Sequence, residues 1–140
     1  MAQEGNGRIF RVISQASGVH IPLTRAQYVE FVCFVATGDN TLTIKESISG
    51  ASEQNLVNIT KAYITPGIGG VSTKVTQTAA ATFTNADATN DQFSVAVRAR
   101  ALSDGFNSVE GTVDAGTCTA IIYELSEIGD PEDLVSTIVA

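Results

Sequence analysis

Gln92-Phe93-Ser94-Val95-Ala96-Val97-Arg98-Ala99-Arg100-Ala101 decides the fold class. Phe93, Val95, Val97, Ala99 and Ala101 share one parity; Gln92, Ser94, Ala96, Arg98 and Arg100 share the other. Successive side chains of a strand point to opposite faces, so this reads as a ribbon with one dry side and one wet, cationic side. Ser103-Asp104-Gly105-Phe106 then turns the chain. Val109, Gly111 and Val113 alternate with Glu110, Thr112 and Asp114, Asp114-Ala115-Gly116 turns again, and residues 117–125 run back. Three alternating runs joined by Gly-containing turns predict an antiparallel meander.

Upstream the same period recurs. Ile9, Phe10, Val12 and Ile13, interleaved with Arg8 and Arg11, suggest a first strand. Residues 14–24, with Gly18, Pro22 and the single histidine His20, read as a connection. The run 27–36 is apolar on both faces: Tyr28, Val32, Phe34 and Ala36 on one, Val29, Phe31, Cys33 and Val35 on the other. A strand of that kind is covered on both sides, one side by the core and the other by a loop, a second sheet or a neighbouring subunit. Thr37-Gly38-Asp39-Asn40 reads as a hairpin turn, since Gly, Asp and Asn tolerate positive φ. Residues 41–48 alternate cleanly except for Glu46 on the apolar face. Residues 49–55 read as a loop, 56–65 as a strand stopped by Pro66-Gly67-Ile68-Gly69-Gly70, 71–84 as a Thr/Ala-rich strand region and 85–91 as a polar loop. Asp130-Pro131-Glu132-Asp133 suits a helix start, and Leu134, Val135, Ile138 and Val139 follow at helical spacing. An extended arm is the other reading of that segment. The expectation is therefore all-β: one domain, 1–140, an antiparallel β-sandwich of jelly-roll or Greek-key type with about eight strands. A flexible N-terminal arm (1–7) and a short C-terminal helix or arm (127–140) flank it.

Composition agrees. The chain has 140 residues, enough to bury a core without a metal or disulfide staple. Val, Ile, Thr and Ala dominate and Trp is absent, which favours strands. The net charge of −7 disfavours nucleic acid and anionic membranes as partners, because both carry negative charge. Cys33 and Cys118 lie in apolar strand patterns and read as buried free thiols. No apolar leader opens the sequence, and no run approaches the ~20 apolar residues of a membrane span, so synthesis in a reducing cytoplasm is expected.

Chemistry is sparse. The chain contains no HExxH, Cys-x-x-Cys, GxSxG or complete phosphate-loop pattern. His20 has no second His and no Cys nearby in sequence, and reads as a surface loop residue. Asp87, Thr89, Asn90 and Asp91 cluster oxygen ligands but miss the calcium-loop spacing. With 6% aromatic residues, a sugar-stacking platform is thin. No catalytic, cofactor or metal site is expected. Arg98 and Arg100 are read either as a solvated face or as a contact strip for an acidic partner.

One resemblance adds to this. Asn90-Asp91-Gln92-Phe93-Ser94-Val95 opens a strand, Asp104-Gly105-Phe106-Asn107-Ser108-Val109 turns it, and Thr119-Ala120-Ile121-Ile122-Tyr123-Glu124-Leu125 closes it. The stretch 90–125 resembles small virion structural proteins of tailed bacteriophages, in particular the capsid decoration (cement) proteins. That resemblance implies a non-enzymatic protein made in the host cytoplasm and carried on the capsid surface. Its implied partners are the major capsid protein and further copies of itself, as a trimer or dimer. Contacts are then expected at Arg8, Arg98, Arg100, Leu134, Val135 and Ile138. A tail or baseplate accessory module and a carbohydrate-binding, lectin-like sandwich are the alternatives.

Overall fold

The computed structural model describes residues 10–24, 26–125 and 138–139. Ten strands are described: β1 (Phe10–Ser14), β2 (Val19–Pro22), β3 (Ala26–Ile48), β4 (Ala51–Asn55), β5 (Ile59–Thr65), β6 (Thr73–Ala80), β7 (Thr82–Arg98), β8 (Ser108–Val113), β9 (Thr117–Leu125) and β10 (Ile138–Val139). Every pairing is antiparallel. The all-β, sandwich-like class read from the alternating runs is the class observed.

The organisation differs from the expected meander. β3 is 23 residues long and serves as the spine. On one side it pairs with β7 from Tyr28↔Arg98 to Thr43↔Thr82. On the other it pairs first with β9, from Ala26↔Leu125 to Phe34↔Thr117, and then with β8, from Leu42↔Val113 to Ser47↔Ser108. So β8 and β9 lie end to end beside β3, and Asp114-Ala115-Gly116 does not reverse the chain. β1 extends the β9 half, β5 and β6 extend the β7 half, β2 and β10 extend the β8 half, and β4 folds back on β3.

Thr37-Gly38-Asp39-Asn40 is likewise not a hairpin, and residues 85–91 are not a loop. Both lie within long strands, at a corner where the sheet bends. Gly38, Asp87, Asn90 and Gly116 all have left-handed φ, at 95°, 53°, 54° and 75°. The β3–β7 register slips between Gly38 and Asn40. Three neighbouring strands thus bend in one stripe, as strands do where they pass from one layer to another. The ring centroids of Phe83 and Phe93 are 5.1 Å apart, although ten residues of extended strand span about 33 Å. β7 is therefore folded back on itself.

The polar residues of the corner are what hold it. The Asp39 carboxylate accepts from the Asp87 N–H at 2.9 Å, and that of Asp114 from the Thr41 N–H at 2.8 Å. Asp91 accepts from the Gly67 N–H at 2.9 Å and from the Asn85 amide at 3.1 Å. These two bonds, Gly67 first, hold the Asp91 carboxyl below the ordinary carboxylate range. Of the oxygens clustered at residues 87–91, those of Asp91 are engaged by the Gly67 N–H and the Asn85 amide.

The core lies between the layers. Val29, Phe31 and Cys33 meet Val95, Val97, Leu42, Ile44, Val109 and Ile122 there. Phe93, Val95 and Val97 are buried as expected, but the strand ends at Arg98 and Ala99–Ala101 form a 3-10 turn. Residues 127–137 and the N-terminal arm 1–7 lie outside the described residues. Ile138 and Val139 are extended, paired with His20 and Val19, rather than helical, because the backbone hydrogen bonds of the β2 edge are available to them.

Cys33 and Cys118 are free, buried and directly paired across β3 and β9, with Sγ atoms 3.5 Å apart. The Cys118 thiol and then burial push the Cys33 thiol far above its ordinary range. A folded-state pKa above the unfolded one stabilises fully below the unfolded value and loses that stabilisation as pH rises. Above about pH 8.5 the protein is thus expected to lose about 1.4 kcal/mol per pH unit through this group. Urea denaturation in reductant from pH 7.5 to 10 should show a steeper alkaline decline for wild type than for Cys33→Ala. Parallel declines would rule the thiol out as their source.

Candidate functional site

The outward face of the β1–β9–β3–β7–β5 layer carries an aromatic and cationic surface. Cross-strand register sets Phe10, Tyr123, Tyr28 and Arg98 in one row. Their groups meet in sequence: Phe10 and Tyr123 centroids are 6.2 Å apart, Tyr123 and Tyr28 5.2 Å, and the Arg98 guanidinium lies 5.0 Å from the Tyr28 centroid. Such a cation–π contact draws the guanidinium to the face of the ring. Val12, Ile121 and Glu30 form the next row. Val32 and Phe34 follow along β3; Phe34 is 39% exposed and Val12 46%. This is the second apolar face of the run 27–36. Among the described residues nothing covers it completely.

Where β5 diverges from β7 a groove of about 620 Å³ opens, lined by Tyr28, Glu30, Lys61, Tyr63, Arg98 and Arg100. Lys74 flanks it, opposite Tyr63 on β6. The face is thus locally cationic although the chain is acidic overall. Of the residues expected at an interface, the fold brings Arg98 and Arg100 to this groove, Arg98 from the strand and Arg100 from the 3-10 turn. Ile138 is elsewhere, on the β2 edge. Arg8, Leu134 and Val135 lie outside the described residues.

A second constellation was missed in the sequence. His20 is not a surface loop residue but is 1% exposed, on β2. The β2–β8 register, Ile21↔Val109, sets His20 beside Glu110, which is 2% exposed. β8 in turn sets Glu110 opposite Lys45 on β3, and β4 brings Glu53 over Lys45 from the far side. The His20 Nε2 lies 3.6 Å from Glu53 Oε2 and 3.8 Å from Glu110 Oε2. Its Nδ1 is 3.1 Å from Ser47 Oγ. Lys45 Nζ donates to Glu53 Oε1 at 3.1 Å, and the Gly18 N–H donates to Glu110 Oε2. Burial, with Glu53 adding to it, holds the Glu110 carboxyl above its ordinary range against the Gly18 hydrogen bond; Lys45 holds that of Glu53 below. Nearby, buried Glu46 accepts from the Ser103 N–H with both oxygens, at 3.0 and 3.2 Å, which explains a carboxylate on an apolar strand face.

Comparison with known proteins adds no relative: no protein-family model, curated protein or solved structure matches the chain.

Proposed function

We propose that this chain is a non-enzymatic virion structural protein that binds and stabilises a phage capsid shell as a decoration protein. The observation that carries the reading is the outward sheet face. It joins an aromatic row, exposed Val12 and Phe34 and a groove bearing Lys61, Arg98 and Arg100. Aromatic residues and Arg are the types enriched where proteins meet, and a flat sheet face suits a broad protein surface. Its cations favour an acidic patch on that surface. The resemblance of residues 90–125 to decoration proteins supplies the partner, the major capsid protein. Repeated copies on a symmetric shell multiply modest contacts into firm attachment.

The test is co-sedimentation with undecorated shells of the parent phage. Wild type is expected to saturate the shells at a fixed number of copies. Arg98→Glu combined with Lys61→Glu, both on exposed side chains, should weaken binding at least ~10-fold, since rim charge reversals act through encounter and complementarity. Failure of wild-type protein to bind shells, with capture by tail structures or glycans instead, would overturn the reading.

A further inference from the structure

We propose that His20, Glu53 and Glu110 bind one first-row divalent transition cation, of which Zn²⁺ is the reference ion. The inference is independent of shell binding. It rests on three potential ligand atoms, one from each residue, lying within 4.8 Å of one another. The sequence gives no hint of it, because the residues are 33 and 57 positions apart and only the β2–β8–β3–β4 order unites them.

The buried imidazole is the second observation. Ser47 Oγ accepts from the Gly50 N–H at 3.2 Å and stands 3.1 Å from His20 Nδ1. If Nδ1–H donates to that oxygen, the Nε2 lone pair faces two carboxylate oxygens. If the hydroxyl donates instead, Nε2–H faces the same oxygens at 3.6 and 3.8 Å, beyond hydrogen-bond reach. Either way a ring nitrogen that is buried is aimed at two oxygens without bonding either. A cation between them resolves both cases. With metal–ligand bonds of about 2.0–2.2 Å, tetrahedral neighbours stand about 3.4 Å apart, close to the 3.6 and 3.8 Å that separate His20 Nε2 from the two carboxylate oxygens. The Ser47 contact to the distal ring nitrogen is the kind of support that orients ligating histidines. One imidazole with two carboxylates favours zinc-like ions over Mg²⁺ and Ca²⁺, which prefer all-oxygen shells. Lys45 occupies Glu53 Oε1 and leaves Oε2 for the ion. The Glu53 side chain is 33% exposed, which gives an entry path and a fourth position for solvent. Bound there, the ion would tie β2, β4 and β8 together.

His20 is the sole histidine, so its ring resonances are an unambiguous reporter. In full-length protein at pH 7.5, one equivalent of Zn²⁺ is expected to replace the His20 ring signals by a new set in slow exchange, with the proton on Nδ1. The denaturation midpoint should rise with it. Glu53→Gln, at a partly exposed site, should keep a folded amide spectrum and bind Zn²⁺ at least ~10-fold more weakly, as loss of a ligand does. Mg²⁺ and Ca²⁺ should leave the ring signals in place. Ring signals that do not respond while Zn²⁺ binds other carboxylates, or that respond only to pH, would overturn the proposal.

Discussion

Gly116→Ala is expected to cost about 3–5 kcal/mol and to broaden the unfolding transition, because two penalties fall on one residue. Its φ of 75° lies in the left-handed region, where a Cβ is strained whatever space surrounds it. A Cβ built there would also overlap the Phe34 carbonyl oxygen and approach the Phe34 carbonyl carbon to 2.9 Å and the Val35 Cα to 3.0 Å. All three atoms are backbone, so no rotamer change relieves them. Relief requires β3 and β9 to part at the corner, which would loosen the Cys33–Cys118 and Phe34–Thr117 pairings. Gly38, at the same corner, has φ of 95° but open space around it. Gly38→Ala should therefore show only the conformational penalty, about 1–3 kcal/mol. Equilibrium denaturation of both variants checks this. Equal losses would mean that the clash at residue 116 is relieved at no cost.

The corner also marks where the sequence could be read and where it could not. Period-two alternation identified the buried faces of residues 29–35 and 93–97 correctly, because side-chain parity survives whatever the strand pairs with. Gly38, Asp39 and Asn40 were read as a reversal because a hairpin turn and a strand corner demand the same residues, ones that accept positive φ and satisfy backbone N–H groups. Local chemistry does not distinguish a turn through 180° from a bend into a second layer; that depends on which strands lie alongside. The same holds for Asp114-Ala115-Gly116. Of the candidate site, Arg98 was legible as part of a wet cationic face, and the second apolar face of 27–36 was legible as needing a partner. The partner of His20 was not. Glu53 fell in a segment read as loop, and Glu110 on the wet side of an alternating strand, where a carboxylate is unremarkable. Burial of His20 and Glu110, and the placing of exposed Glu53 over them, follow from the strand order and the two-layer bend, which the pattern did not encode.

Phe31→Ala is expected to cost about 3–5 kcal/mol, the range for a buried Phe truncated in a core. Phe31 is fully buried on the β9 half of β3, and its ring crosses to the other layer, where it lies against Gly111 on β8. A Cβ at residue 111 would stand 2.6 and 2.7 Å from two ring carbons of Phe31. The glycine is thus explained by the ring above it and not by its backbone: small opposite large lets the layers interdigitate. Gly111→Ala alone should cost about 1–3 kcal/mol, because the ring has to shift within a packed core. The combination should be milder than the sum. With the ring gone, the alanine methyl at 111 occupies part of the cavity that Phe31→Ala opens, and the three ring carbons that crowd it most closely are absent. A double-mutant cycle by urea denaturation is expected to give a favourable coupling of about 1–2 kcal/mol between the two sites. Strict additivity would mean that the layers relax independently and that the contact between Phe31 and Gly111 does not set their spacing.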